Sequence, residues 1–295
     1  MTEARAPSGV AVDFGGTKIS ATRLQDGVAV DSLKVATDGT ALADQQVAAI
    51  CDLLQGLALQ PAEPVGVALA GRVDRDGCWH ALNTETLTGV AEVPLRAMLS
   101  ERLNRPVVVE NDAIAAAIGE FHHGAGRGCS DFAFVTVSTG VGGGLILNGH
   151  PVISSQGLAG HVGFTTSTLA NRRCGSGRIN TVESIASGRA IAHYAAALGH
   201  NGLSAKDVYE TQLNGAAWAT GLIDQSARAV AEMIGNLTAL LDLERIALGG
   251  SIGMAEGYLE RVRKHLADEP VIFQPDLVPV SLGPDAAHFG VLTEA

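Results

Sequence analysis

Residues 9–37 read GVAVDFGGTKISATRLQDGVAVDSLKVAT, and this stretch decides the fold. Its apolar runs are broken by Gly15-Gly16 and by Asp26-Gly27, a pattern that predicts three short strands joined by tight turns. A helix follows, because Val47, Ile50, Cys51, Leu54 and Leu57 recur at helical spacing and would lay one apolar stripe on that sheet. Pro64–Leu69 and Pro106–Val109 are apolar runs of the kind that fill central strands. The second runs directly into Glu110-Asn111-Asp112 and an Ala-rich helix, so three polar residues stand where a strand ends and a helix begins. Open α/β sheets place their ligands at such stations.

The pattern restarts after about 120 residues. Asp131–Ser138 (DFAFVTVS) predicts a strand, TGVGGG over 139–144 a turn, and Leu145–Leu147 the returning strand. Two strand, glycine-turn, strand units predict duplicated α/β halves. Helical patterns then cover Val182–Leu198 and Ala216–Asp242, and Arg245–Leu248 reads as a strand ending in Gly249-Gly250. The expected division is a smaller N-terminal α/β domain of residues 1–118 plus about 283–295, and a larger C-terminal one of residues 119–282. A cleft between such halves is the usual home of a small ligand.

Composition narrows the class. The 295 residues carry a formal charge of -11 with no block of Lys and Arg, which argues against nucleic acid or an anionic membrane as partner. Pure apolar runs stop well short of the ~20 residues a membrane helix needs, and the opening MTEARAPSGV has no signal-peptide pattern, so the expected compartment is the cytoplasm. Cys51, Cys78, Cys129 and Cys174 are scattered without a CxxC pair, as reduced thiols are.

The glycine turns carry the chemistry. In Asp13-Phe14-Gly15-Gly16-Thr17-Lys18, paired glycines let backbone amides approach a phosphate, Thr17 and Lys18 add donors, and Asp13 can hold a hydrated Mg2+. The spacing is not that of a Walker A loop, and a plain hairpin would explain this segment alone. Ser138-Thr139-Gly140-Val141-Gly142-Gly143-Gly144 has four glycines in five positions from Gly140, more than a hairpin needs. Two such turns are expected to face one polyphosphate from opposite walls.

DFGGTK, END, STGVGGG and the late LGGS, in this order and spacing, resemble the ROK family of sugar kinases over nearly the whole chain. The resemblance implies an actin-like ATPase (ribonuclease H-like) fold with duplicated domains around a cleft. It implies ATP-dependent phosphorylation of a hexose or N-acetylhexosamine at O6, with Asp112 as the catalytic base. Nucleotide binding would fall to Asp13, Gly15, Gly16, Thr17, Lys18, Thr139, Gly140, Gly142, Gly143, Gly249 and Gly250, with Mg2+ held through ATP and Asp13. Sugar binding would fall to Gly71, Arg72, Thr86, Asn111, Asp112, His161 and Glu183. A homodimer is implied as well. GLAGHVG (157–163), VESIASGRAIA (182–192) and LGGSIGMAEGYL (248–259) most resemble the branch whose acceptor is N-acetyl-D-mannosamine, in sialic acid catabolism. Sister branches take glucose or N-acetylglucosamine. Many relatives carry Glu at the position of His161, and that exchange bears on which epimer is accepted.

Blander roles exist for the same residues. Asp112 would cap a helix, Arg72 would be a solvated turn residue, His161 an ordinary loop histidine, and Glu183 a complement to a helix dipole. The family's structural zinc motif, CxCGxxGC with an upstream His, is broken here. Cys174, Ser176 and Thr181 stand at the Cys positions and Phe164 at the His position, so no structural zinc is expected and the loop from Thr165 to Asn180 is expected to loosen.

Two rival classes are weighed. Gly249-Gly250-Ser251-Ile252-Gly253 satisfies the GxSxG of an α/β-hydrolase, with Asp268, Asp276 and His288 downstream, but that reading leaves both glycine turns and END unexplained. A sugar-sensing ROK repressor would need a DNA-binding segment, and the twelve residues before Asp13 are too few for a helix-turn-helix. A non-catalytic sugar sensor is the remaining alternative.

Overall fold

The computed structural model describes residues 5–82 and 89–295. Its first compact unit holds residues up to Arg127 together with Pro151–Ala159 and Pro284–Ala295. The second holds Gly128–His150 and Gly160–Gly283. Gly119, the expected boundary, lies inside a helix.

In the first unit β1 (Gly9–Phe14), β2 (Lys18–Gln25) and β3 (Val28–Ala36) form an antiparallel meander. Helix α1 (Ala43–Gly56) leads into β4 (Val65–Leu69), which pairs parallel to β1. The hairpin of β5 (Arg72–Val73) and β6 (Trp79–His80) and helix α2 (Leu95–Leu103) precede β7 (Val108–Asn111), which pairs parallel to β4 and passes into α3 (Asp112–His123). The strand order among the described residues is β3-β2-β1-β4-β7. Val10, Val12, Val65 and Val67 are buried with Val47, Ile50 and Leu54 of α1, so the predicted helical stripe does cover this sheet. Each such side chain contributes roughly 1.5–3 kcal/mol.

The second unit repeats the plan. β8 (Phe132–Val137) pairs antiparallel with β9 (Val141–Leu147), followed by β10 (His150–Pro151). The helices are α4 (Glu183–Ala186), α5 (Gly188–Ala197), α6 (Ala205–Leu213) and the long α7 (Ala217–Leu241). β11 (Arg245–Gly249), α8 (Gly250–Gly253), α9 (Tyr258–Leu266) and β12 (Asp276–Pro279) complete it. Its order, β10-β9-β8-β11-β12, matches the first sheet strand for strand, and β11 is parallel to both β8 and β12.

Helix α10 (Ala286–Thr293) belongs to the first unit and packs against α3. Two glycines permit the approach: a Cβ on Gly119 would come 2.1 Å from Ala286 O, and one on Gly290 would come 1.7 Å from Ala115 O. The rigid body of α3 thus fixes its first residue, Asp112.

Two sequence expectations need correction. The continuous helix over Val182–Leu198 is broken at Ser187, which turns extended and caps α5 by accepting Ala190 N at 3.2 Å. The glycine turn also ends sooner than expected, because Gly142, Gly143 and Gly144 pair with Thr136, Val135 and Phe134 inside β9. Among the described residues no helix is long and apolar enough to cross a membrane.

Candidate active site

In the first unit the site is built at the carboxyl ends of β1 and β7. Asp13 is the penultimate residue of β1, paired with Ser20 and Ala68. The turn beyond it is closed by Gly15 N donating to Lys18 O at 2.9 Å. Thr37, which sequence reading passed over, anchors it: Oγ1 donates to Gly15 O at 2.8 Å and N to Thr17 O at 3.1 Å. Those carbonyls are thereby occupied, while Thr17 and Lys18 stay exposed.

Asn111 and Asp112 form the junction of β7 and α3. Asn111 is the N-cap, its Oδ1 accepting Ala113 N and Ile114 N, both at 3.0 Å. Its Nδ2 donates to Gly71 O at 2.8 Å and to Asp112 Oδ1 at 2.9 Å. With two donors and two acceptances, the amide is fully used by the protein. The helix-capping role considered for Asp112 is shared: its Oδ1 also accepts Ala113 N at 2.8 Å, while Asn111 alone takes Ile114 N and its amide orients the Asp112 carboxylate.

The electrostatics single out the same junction. Asp112 keeps some solvent contact as a residue, yet burial of its carboxyl group, and next the charge of Asp13, push it up to about 6. Asp13 is itself raised by burial, offset in part by His288 and Lys18. Glu110 is pushed up to about 7 by burial, against a hydrogen bond from Asn111 N at 2.7 Å. Carboxyls so poised are suited to accept a proton near neutral pH.

Beside Asn111, Gly71 adopts φ +118°, where a Cβ would lie 2.8 Å from His80 O and 2.9 Å from Trp79 Nε1. Arg72 is not merely solvated: its guanidinium donates to Gln156 O of the returning 151–159 segment. His80 Nε2 and Asp74 Oδ2 pair at 3.0 Å on the same hairpin, a contact without a sequence signal. Thr86 lies outside the described residues.

In the second unit the turn is Ser138-Thr139-Gly140, closed by Ser138 N donating to Gly140 O at 2.9 Å. Gly188 N, at the start of α5, donates to Ser138 O at 2.8 Å. Glu183 reaches the turn from α4, Oε2 accepting Val141 N at 3.2 Å. A Cβ on Gly140 would come 2.7 Å from that oxygen. Glu183 thus does more than complement a helix dipole; burial raises its carboxyl, against the hydrogen bond from Val141 N and the charge of Arg189. Gly143 has a packing role, since a Cβ there would meet Val162 Cγ2 at 2.7 Å and Phe134 O at 2.8 Å. Gly249 ends β11, and Gly250 turns at φ +85° beneath Val137 O. His161 stacks on Phe164, with centroids 5.8 Å apart and planes at 19°.

The hydrolase reading finds no serine–histidine pair among the contacts of Ser251 and His288 with the described residues. Ser251 Oγ pairs with Ser138 Oγ at 3.0 Å, and His288 Nδ1 lies 3.4 Å from Asp285 Oδ1. The zinc positions do not fit the metal either. They offer one thiol, Cys174, paired with Ser176 Oγ at 3.0 Å; two hydroxyls, Ser176 and Thr181; and the phenyl ring of Phe164. The loop is nevertheless fastened, contrary to the expected loosening: Ser167 N donates to Asn180 O at 2.9 Å and Val182 N to Thr165 O at 2.9 Å.

Two sheets of identical strand order, each with a glycine turn after its first strand, define an actin-like ATPase fold. The chain belongs to the ROK family, whose model matches residues 9–293. It is 40% identical over 286 residues to an N-acetylmannosamine kinase of Escherichia coli, covering 95% of this chain and 96% of that one. It is 37% identical over 281 residues to an N-acetylmannosamine kinase of Haemophilus influenzae, covering 95% and 93%. Among solved structures, a ROK family glucokinase from Streptomyces griseus in complex with glucose and AMPPNP superposes with a TM-score of 0.82 at 29% identity, covering 98% and 99%.

Proposed function

We propose that this chain transfers the γ-phosphoryl group of MgATP to O6 of N-acetyl-D-mannosamine, releasing ADP and N-acetyl-D-mannosamine 6-phosphate for sialic acid catabolism. The observation that carries the reading is Asp112. Its carboxyl is raised to about 6 by burial and by the charge of Asp13, and oriented by Asn111, in a chain that is 37% to 40% identical to N-acetylmannosamine kinases.

In this reading Asp112 accepts the proton of the 6-hydroxyl as that oxygen attacks the γ-phosphorus and the bond to the ADP oxygen breaks. Asp13 would hold the hydrated Mg2+ of the nucleotide, which would neutralise charge on the phosphates. Amides of the two turns other than Gly15 N and Ser138 N, which close them, and the Gly249-Gly250 backbone take the phosphates and the nucleotide. Gly71, Arg72, Thr86, His161 and Glu183 serve the sugar, with Asn111 orienting the base. Homodimeric assembly, cytoplasmic location and the absence of a structural zinc complete the proposal. The first two rest on the family resemblance, the third on the mismatched donor set.

A coupled ADP-release assay with N-acetylmannosamine, N-acetylglucosamine and glucose tests it. N-acetylmannosamine is expected to lead in kcat/KM by roughly tenfold or more, the discrimination a polar pocket readily gives between epimers. A large lead for glucose would keep the kinase and discard the named acceptor. Sugar binding without ADP release from any of the three would make the chain a sensor.

A further inference from the structure

Segment 164–181 runs between the two residues of the second unit that the proposed function gives to the sugar, His161 and Glu183. It holds no workable metal site, yet it is tied at its root and again at Asn171. At the root, Glu232 reaches out from α7: Ser167 Oγ donates to Oε2, and Thr168 N lies 3.0 Å from Oε1 and 3.2 Å from Oε2. Ser167 then passes the restraint on, N donating to Asn180 O at 2.9 Å, and Thr166 bridges to Thr181. Thr181 leads into Glu183, accepting Ser184 N on Oγ1 at 3.2 Å and Ser184 Oγ on its carbonyl at 2.7 Å. Further along, Asn171 Oδ1 accepts the Tyr194 hydroxyl of α5 at 3.0 Å.

Glu232 suits the part. Its neighbours on α7, Val230, Ala231, Met233 and Ile234, are buried in the core of the unit, so the clamp is mounted on a helix that cannot shift without disturbing that core. Although burial opposes its charge, the bonds from Ser167 and Thr168, with Arg228 one turn earlier, hold its carboxyl below the ordinary range, so it is an anion at neutral pH. Charge-assisted bonds of this kind are about twice as strong as neutral ones.

We propose that Glu232 is a positioning residue that stands in for the missing metal, clamping segment 164–181 to α7 and thereby setting Glu183 and His161 for the sugar. The inference deepens the proposed function and rests on it only for the identity of what Glu183 and His161 face.

The segment carries its own reporter, since Arg172, Arg173 and Arg178 are trypsin sites within it. The experiment compares the full-length wild type with E232A, E232Q and S167A by limited trypsinolysis, elemental analysis and steady-state kinetics. Substoichiometric zinc in the wild type is expected. Cleavage at these arginines should rise about tenfold in E232A, as local opening grows more frequent, and less in E232Q and S167A. KM for N-acetylmannosamine should rise while KM for ATP stays put. Stoichiometric zinc whose removal by a chelator speeds cleavage would overturn the clamp. So would a loop in all three variants that is cut no faster than the wild type. Should E232A fail to fold, E232Q and S167A decide by the same criteria. A wild type inactive on every sugar, with the order of cleavage rates intact, would sink the kinase reading and leave the clamp standing.

Discussion

The β1–β2 and β8–β9 turns occupy the same station in two sheets of the same strand order, and they differ in where their acid comes from. Asp13 sits one pair back from the first turn, opposite Ser20; its register counterpart before the second turn is Thr136, opposite Gly142. The first unit thus carries a carboxylate in the strand itself, close enough to help raise Asp112. The second imports one, Glu183, from a helix more than forty residues downstream, and seats it against Gly140. The repeated strand order supplies two glycine turns. Divergence at one strand position decides which of them carries a strand-borne acid.

The sharpest way to break the comparison is Asp112→Asn. Turnover should fall about 10²- to 10⁴-fold, as removal of a general base does. The same variant should be more stable at pH 7. Its folded-state value of about 6 lies above the ordinary 3.8, so the stability tied to protonation is present at low pH and lost as pH rises through about 6. Removing the charge returns up to ~3 kcal/mol at 1.36 kcal/mol per unit. Thermal unfolding beside turnover checks both effects; near-normal kcat or a lower Tm would refute the strained pair.

Next in size is Gly143→Ala. The added methyl meets Val162, Phe134 O and Gly160 O, so overpacking should cost about 1–3 kcal/mol in denaturant unfolding. A loss confined to nucleotide affinity, with stability unchanged, would return Gly143 to the phosphate-binding turn.

The pH dependence of kcat/KM comes third. Because the base must be ionised, the acid limb should rise with pH to an inflection near 6 and flatten above it. In Asp13→Asn the residual activity should inflect at lower pH, since the charge of Asp13 is part of what raises Asp112. An inflection that stays near 6 would mean burial alone is responsible. Gly15→Ala is the mildest change, because its Cβ would meet only Lys18 O, at 3.2 Å. A stability loss below about 1 kcal/mol is expected, well under that of Gly143→Ala.

Much of the fold was legible in residues 9–37 and in their echo at 131–147, because strand alternation and glycine turns are local signals. Asp112 was legible too, as one of three polar residues at the end of an apolar strand. The roles within that triplet were not. Asn111 is the N-cap of α3 and Asp112 shares Ala113 N with it, and that depends on how the β7–α3 bend aims the two side chains at the free amides. The glycine run after Ser138 looked like one turn, but pairing with β8 draws Gly142 to Gly144 into the sheet, where space rather than dihedral freedom requires them.

The sequence by itself determined the repeated β-turn-β plan and the acids at the strand ends, readable from nearest neighbours along the chain, and the family resemblance added the broken zinc motif. Only the tertiary structure decided that Thr37 anchors the first turn, that Glu183 serves the second, and that Glu232 holds the loop whose metal ligands are gone. Each of those joins residues at least twenty positions apart, and no local pattern records a contact that exists only after the sheets and helices have packed.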